Sequence, residues 1–417
     1  MSKNIKQIYV ALELCENAIK ILVSEYFNSR FNIIRAETFA TEAISDFRIN
    51  NNEELVADIK KAVQTCSDKL GADIEQAILV LPAYNFKRFS LRSKASCENN
   101  IVKKEDVARA FSNALKATVD DDVLIVNQFA SKYTVNDISS RRIPEKQIGD
   151  KVLVDLDLLC ADKAMCFDYV TAVEQAGIKV LDIVLNNYAV AKEASLFEES
   201  INRNIILLDV HNTCTYLSLL SKGKIISTEI LFEGLNALYN KVYRQYNIPY
   251  DDIVKLVKYT TNYKTDYPSD VVYALNETNN TKTITADMLN AAVFTALDEY
   301  TNHLIAMCKP ILEAQADIWI TSKGQQMKAL IEMIKDKTQA NIREYNPDTI
   351  GIRNADYNAL YGSFLIYREK VYLNDLDVSC IDLLKYDALI DQKEFDQEGE
   401  TITTKIKNLF KQYIDRG

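Results

Sequence analysis

Residues 205–231, IILLDVHNTCTYLSLLSKGKIISTEIL, decide the fold. The run 205–210 is short, rich in isoleucine and leucine, and polar only at Asp209, which reads as a buried strand. The turn His211-Asn212-Thr213-Cys214 follows it. A second strand over 215–220, a turn opened by Gly223 and a third strand over 224–231 complete the unit. The same plan stands about 200 residues earlier. There the apolar runs are 7–14, 18–26 and 31–38, and Asn28-Ser29-Arg30 turns the chain between the last two. Residues 52–70 then place Leu55, Ile59, Val63, Cys66 and Leu70 on one helical face, with Gly71 as the stop. Residues 74–82 read as a buried strand. Two copies of one plan predict a duplicated α/β architecture.

Between the copies, residues 82–163 carry a charged helix over 103–116 and short strands over 123–129, 132–136 and 151–157. This reads as a small α+β insertion. A helix over 164–176, a strand over 178–185 and a helix over 187–197 return the chain to the first unit. After the second strand cluster comes a helical stretch, 234–309, then a strand over 318–321 and helices over 325–337 and 356–366. Residues 374–400 hold nine acids, including Asp375, Asp377, Asp391 and Glu394, and read as a solvated linker, above all in their second half. The expected division is 1–75 with 164–200 as a first core domain and 76–163 as the insertion. A second core domain covers 201–233 with 310–373, around a helical subdomain over 234–309. A linker over 374–400 and a terminal helix over 401–417 follow.

Composition narrows the function. The net charge of −10 sets the body of the protein against nucleic acid, so any contact with lipid or phosphate needs a local basic patch. Only 10 of 417 residues are glycine, which leaves few places for a loop that brings backbone close to phosphate. The eight cysteines form no C-x-x-C pair and the two histidines, His211 and His303, are too few for a zinc site, so no metal is expected. The start, MSKNIKQIYVALEL, has too short an apolar run for a signal peptide, and no stretch of 18 apolar residues occurs. A cytoplasmic, reduced protein is expected.

The last residues, ITTKIKNLFKQYIDRG (402–417), form one helical face of Ile402, Ile406, Leu409, Phe410, Tyr413 and Ile414. Lys405, Lys407, Lys411 and Arg416 against Asp415 give a local charge of 4 − 1 = +3 inside an acidic chain. This pattern predicts a helix lying in an anionic membrane surface, its apolar side in the acyl boundary. The alternative is an ordinary last helix docked on the core.

These features together resemble FtsA, the bacterial division family of the actin/Hsp70/sugar-kinase superfamily. The resemblance rests on DVARAFSNALK (106–116), VNQFASKYTVND (126–137) and RRIPEKQIGDKV (141–152), which look like the family's insertion domain. It rests also on AVEQAGIKVLDIVLNNYAVAKEASL (172–196), on residues 204–242 and on GIRNADYNALYGSFLIY (351–367). It implies duplicated actin-like (ribonuclease H-like) domains, the insertion, a terminal amphipathic helix, and ATP with Mg²⁺ in the cleft.

The departures fall on that cleft. The first phosphate loop is Glu13-Leu14-Cys15-Glu16-Asn17-Ala18-Ile19-Lys20, with Cys15 where the family has glycine and Glu16 adding negative charge. The second is Asp209-Val210-His211-Asn212-Thr213-Cys214-Thr215, without glycine. The adenosine loop, Thr321-Ser322-Lys323-Gly324, keeps one glycine. By resemblance the cofactor-binding positions are Glu13, Cys15, Lys20, Asp209, Asn212, Thr213, Thr215, Lys258, Thr321 and Gly324. Asp209 is either a holder of hydrated Mg²⁺ or a strand-end acid. Nucleotide binding is expected to be weak or lost and hydrolysis negligible, so no catalytic residue is assigned.

The resemblance further implies that the C-terminal tail of FtsZ, the tubulin-like division protein, binds the helical stretch 234–309, whose tyrosines are candidate anchors. It implies self-association into filaments. Lys405, Ile406, Lys407, Leu409, Phe410, Lys411, Tyr413 and Ile414 are the expected membrane residues, on the inner face of the cell membrane at the division site. Two alternatives stay open: a PilM-like actin-fold scaffold for another membrane assembly, and an active ATPase or sugar kinase of the superfamily.

Overall fold

The computed structural model describes residues 6–260, 269–277, 280–313, 315–322, 327–352 and 355–387. Gly324 and the tail over 401–417, with all its expected membrane residues, lie outside the described residues.

Two five-stranded sheets repeat one order. In the first, Arg30–Ala40, Ala18–Phe27 and Gln7–Cys15 form an antiparallel meander, and Gln76–Leu81 and Lys179–Leu185 extend it in parallel. In the second, Lys224–Leu231, Thr215–Ser221 and Ile205–Val210 form the meander, and Asp317–Ser322 and Ile342–Glu344 extend it in parallel. The duplication expected from the chain's two strand clusters is thus present in the sheets. Each meander turns where residues accept the left-handed region: Asn28 and Ser29 at φ 49° and 61°, Lys222 and Gly223 at 54° and 72°. The central strand of each sheet is covered on both faces, so 7–14 and 205–210 are buried throughout and apolar except at Gln7, Glu13 and Asp209.

The helix Asn52–Leu70 keeps its expected bounds because both ends are chemically fixed. The Asn51 side chain accepts from the Glu54 amide, and Gly71 at φ 77° closes the last turn. Its buried face is the expected stripe, with Leu55, Ile59, Val63, Cys66 and Leu70 all in the core.

Several elements differ from expectation. The strands expected over 123–129 and 132–136 are one strand, Val123–Val135, and a further strand, Lys87–Ser96, pairs in the same sheet with Lys151–Asp162. This antiparallel sheet is half-exposed, so lysine, arginine and serine alternate with the packed residues and mask the apolar run. A hairpin of Val271–Glu277 and Asn280–Thr285 interrupts the helical stretch. Ser195, at φ 54°, splits the helix expected over 187–197 into Asn186–Glu193 and Leu196–Glu199. Within the first half of the acidic linker, Cys380 and Ile381 dock on the core while Asp375, Leu376 and Leu384 stay exposed. Asp377 accepts from Tyr9 and Arg368, the Cys380 amide donates to the Ile8 carbonyl at 2.7 Å, and Cys380 is fully buried. Asp377 thereby serves as the partner of a buried tyrosine and of an arginine.

The two halves also meet at Glu193, at the end of the helix Asn186–Glu193. Its carboxyl accepts from the Tyr345 hydroxyl at 2.9 Å, and its other oxygen is buried without a hydrogen bond. Burial raises this carboxyl from 4.5 to about 7, the Tyr345 bond working the other way and nearby Asp348 adding to the rise. A raised carboxyl favours the fold while protonated, so stability is lost as pH rises from about 4.5 through 7. Glu193→Gln is expected to flatten that slope and to leave the variant more stable than the parent at pH 8, by about 1–3 kcal/mol. Denaturant titrations at pH 5 and pH 8 check it.

Candidate functional site

The turns that follow the two central strands face each other. Residues 13–20 from the first half and 209–216 from the second enclose a cavity of about 270 Å³. This is just below the roughly 300–1,000 Å³ of ordinary small-molecule pockets.

Glu13 and Lys20 are register partners across the first meander, and their side chains meet at 3.2 Å, each about 93% buried or more at 6% and 7% exposure. Lys20 is therefore already engaged by a carboxylate. On the other wall, His211 Nε2 lies 3.0 Å from Asp209 Oδ2, and the imidazole stands edge-on to the Tyr216 ring at 5.5 Å. Burial and the Glu13 carboxylate hold the Cys15 thiol far above its ordinary value, and burial pushes Cys214 up to about 12. Both are neutral thiols near pH 7, small lining groups rather than nucleophiles.

The second turn is held from behind. The Leu235 and Asn236 amides donate to the His211 and Asn212 carbonyls at 3.0 and 2.8 Å. A Cβ on Gly234 would stand 2.2 Å from the His211 carbonyl oxygen. This glycine therefore lets the following helix pack on the turn.

Of the cofactor positions carried by resemblance, Glu13, Cys15, Lys20, Asp209, Asn212 and Thr213 line the cavity. The others that are described do not. The Thr215 hydroxyl donates to the Glu233 carbonyl at 3.0 Å and pairs with the Tyr300 hydroxyl at 2.5 Å. Thr321 is fully buried and accepts from the Asn358 amide at 2.9 Å. Lys258 is exposed on the helix Tyr250–Thr260, its ammonium 5.2 Å from the Tyr259 ring. Sequence reasoning missed Phe47, Tyr169, Asn186 and Tyr216 as lining residues. They come from four separate elements, and no local spacing links them.

Among the described residues, the lining carries Glu13, Glu16, Asp209 and Asp356 against Lys20, a formal charge of −4 + 1 = −3 apart from His211. Among the described residues, no group of three or more histidines, cysteines or acids stands in metal-holding geometry.

A second, larger cavity of about 1,020 Å³ lies between the insertion and the helix Asn358–Asn374. Phe111, Leu115, Phe129 and Phe197 give it an apolar floor, and Arg141 and Arg142 are exposed at its rim. Over 234–309, Tyr243, Tyr250 and Tyr259 are exposed whereas Tyr246 is buried, so only part of the tyrosine set is open to a partner. No helix among the described residues is long and apolar enough to cross a membrane.

Comparisons with known proteins agree with this architecture. No family model matches the chain. The chain is 23% identical to the cell division protein FtsA of Bacillus subtilis, covering 85% of this chain and 82% of that protein. It is 22% identical to FtsA of Enterococcus hirae, over 98% of this chain and 99% of that protein. Among solved structures it is similar to the PilM-PilN type IV pilus biogenesis complex, with a TM-score of 0.56 at 13% identity over 87% of this chain and 99% of that one. It is also similar to MreB 5 of Spiroplasma citri bound to AMPPNP, with a TM-score of 0.54 at 10% identity over 89% of this chain and 99% of that one. The chain thus has FtsA homologues along most of its length, and its fold is actin-like.

Proposed function

We propose that this actin-fold homologue of the FtsA proteins is a cell-division scaffold that tethers FtsZ filaments to the inner face of the cytoplasmic membrane. The observation that carries this reading is the end-to-end match to a protein named for cell division, 98% of this chain against 99% of the Enterococcus hirae relative. Residues 401–417 are the lipid contact in this reading. Each cation near an anionic surface contributes about 1 kcal/mol, and each large apolar side chain about 1.5–3 kcal/mol at full burial. Such an anchor is reversible and strengthens when copies act together. The FtsZ tail is assigned to the helical subdomain, where Tyr243 and Tyr250 stand exposed.

ATP hydrolysis is weak or absent in this reading. The cavity is small, its described lining is net negative, and Lys20 is occupied by Glu13. Phosphate entering there meets carboxylates in a partly desolvated cleft, where charge is weakly screened. A second reading, a scaffold that holds a peptide of some other membrane assembly, is favoured by the large cavity beside the insertion, with its apolar floor and arginine rim.

Co-sedimentation with anionic vesicles tests the main reading. Full-length protein is expected to pellet with the vesicles, and a chain cut after Glu400 to lose at least about tenfold in binding, equivalent to roughly 1.4 kcal/mol. Equal pelleting of the two chains would refute the lipid tether.

A further inference from the structure

The larger cavity, beside the insertion, has an apolar wall that no described residue covers. Leu115 lines it at 53% exposure, together with Phe111 and Phe129. Arg141 and Arg142 stand exposed at its rim. Arg141 Nη2 donates to the Lys222 carbonyl at 3.3 Å, and neither guanidinium meets a carboxylate among the described residues. Of the described carboxylates in the lining, Glu369 is paired with Lys192 at 2.6 Å and Glu198 is exposed. An occupant with large apolar side chains and carboxylates suits such a surface, since arginine forms its stronger hydrogen bonds with carboxylates.

The described chain ends within reach of this cavity. Asp387 accepts from Lys6 Nζ at 3.0 Å, and the same ammonium stands 3.2 Å from Glu25. Tyr26, the next residue, lines the cavity. From Asp387 the sequence continues as ALIDQKEFDQEGE (388–400), with a charge of −5 + 1 = −4 and with Leu389, Ile390 and Phe395 as its large apolar groups. Extended, this stretch spans roughly 40 Å. A cavity of about 1,020 Å³ is at the top of the range for small ligands and has room for several such side chains.

We propose that residues 388–400 of this chain seat in the cavity, with Phe395 against Leu115 and Phe129 and the acids toward Arg141 and Arg142. The linker then holds the terminal segment close to the insertion, and an acidic peptide of any other origin must displace it to enter. The inference is separate from the lipid tether, since it concerns where 388–400 sit and not what 401–417 bind.

Photo-cross-linking of the full chain without lipid tests this. Phe395 is replaced by p-benzoylphenylalanine, which keeps an aromatic group at that position, and ¹⁵N-labelled and unlabelled chains are mixed before irradiation. Mass spectrometry of the digest is expected to find cross-links within one chain to residues 108–115 and 128–133. Arg141→Glu with Arg142→Glu is expected to lower their yield at least about threefold. Arg142→Glu alone keeps the Arg141 bond to Lys222 and is expected to lower the yield in the same direction, with its Tm close to the parent's. Cross-links to other parts of the body, or none, overturn the proposal, as does a yield that neither arginine variant moves. Cross-links only between differently labelled chains overturn it too, and give the cavity to the linker of a second copy.

Discussion

Gly362→Ala is expected to destabilise the protein by about 2–3 kcal/mol, although alanine is the better helix former. Gly362 lies in the helix Asn358–Asn374, which crosses the helix Asn186–Glu193 at backbone contact. A Cβ at Gly362 would stand 2.0 Å from the Ala189 carbonyl oxygen, 2.5 Å from its carbon and 3.0 Å from its Cα. Backbone atoms cannot rotate away as a side chain can, so the helices must part. Their separation would open the core around Leu360 and Phe364, both fully buried. Helix propensity favours the alanine by about 1 kcal/mol and offsets only part of this. Gly177→Ala is the control, since its Cβ would meet nothing within 4 Å and only its φ of 89° resists. That variant is expected to cost about 1 kcal/mol. Urea titrations of both variants check the contrast, and a neutral Gly362→Ala would mean that the helices do not approach so closely.

Lys20→Met is expected to have the larger effect, about 3–5 kcal/mol, because it leaves the Glu13 carboxylate buried and unpaired. Glu13 is 4% exposed, so its charge is largely stripped of water on the cavity wall and depends on the Lys20 ammonium. The double variant Glu13→Gln with Lys20→Met removes both charges and is expected to recover most of the loss, giving a coupling of about 2 kcal/mol or more. This result distinguishes the role assigned here from a nucleotide-binding one. A lysine kept for phosphate would show a small stability effect and a large ligand effect. The pair at 3.2 Å predicts the reverse.

Much of the fold was legible in the sequence because its signals are local. Apolar runs bounded by turns marked both meanders, and the apolar stripe with its Gly71 stop marked the helix Asn52–Leu70. The strand Lys87–Ser96 was illegible because one of its faces is open, so Arg88, Arg92 and Lys94 look like loop residues. The docking of residues 377–381 was hidden too. Asp377 reads as one acid among many, and only the fold brings it to Tyr9 and Arg368.

The candidate site was half legible. Glu13, Lys20 and Asp209 on the strands and Thr213 in the turn after Val210 were reached through the family resemblance, and they line one cavity. Phe47, Tyr169 and Asn186 reach the same cavity from elements with no spacing to tie them together. Thr215 and Thr321 carry the right residue type at the right place in sequence, yet strand alternation turns their hydroxyls to Tyr300 and Asn358.

The central claim is that this actin-fold chain holds a division filament on lipid without drawing on ATP. The most direct measurement is recruitment of FtsZ to anionic vesicles by the full chain, read by co-sedimentation with and without ATP and Mg²⁺. The account predicts that FtsZ pellets only when the full chain is present, to the same extent in both conditions, and not with the chain cut after Glu400. Recruitment that needs ATP, or that survives removal of the last seventeen residues, 401–417, would contradict it.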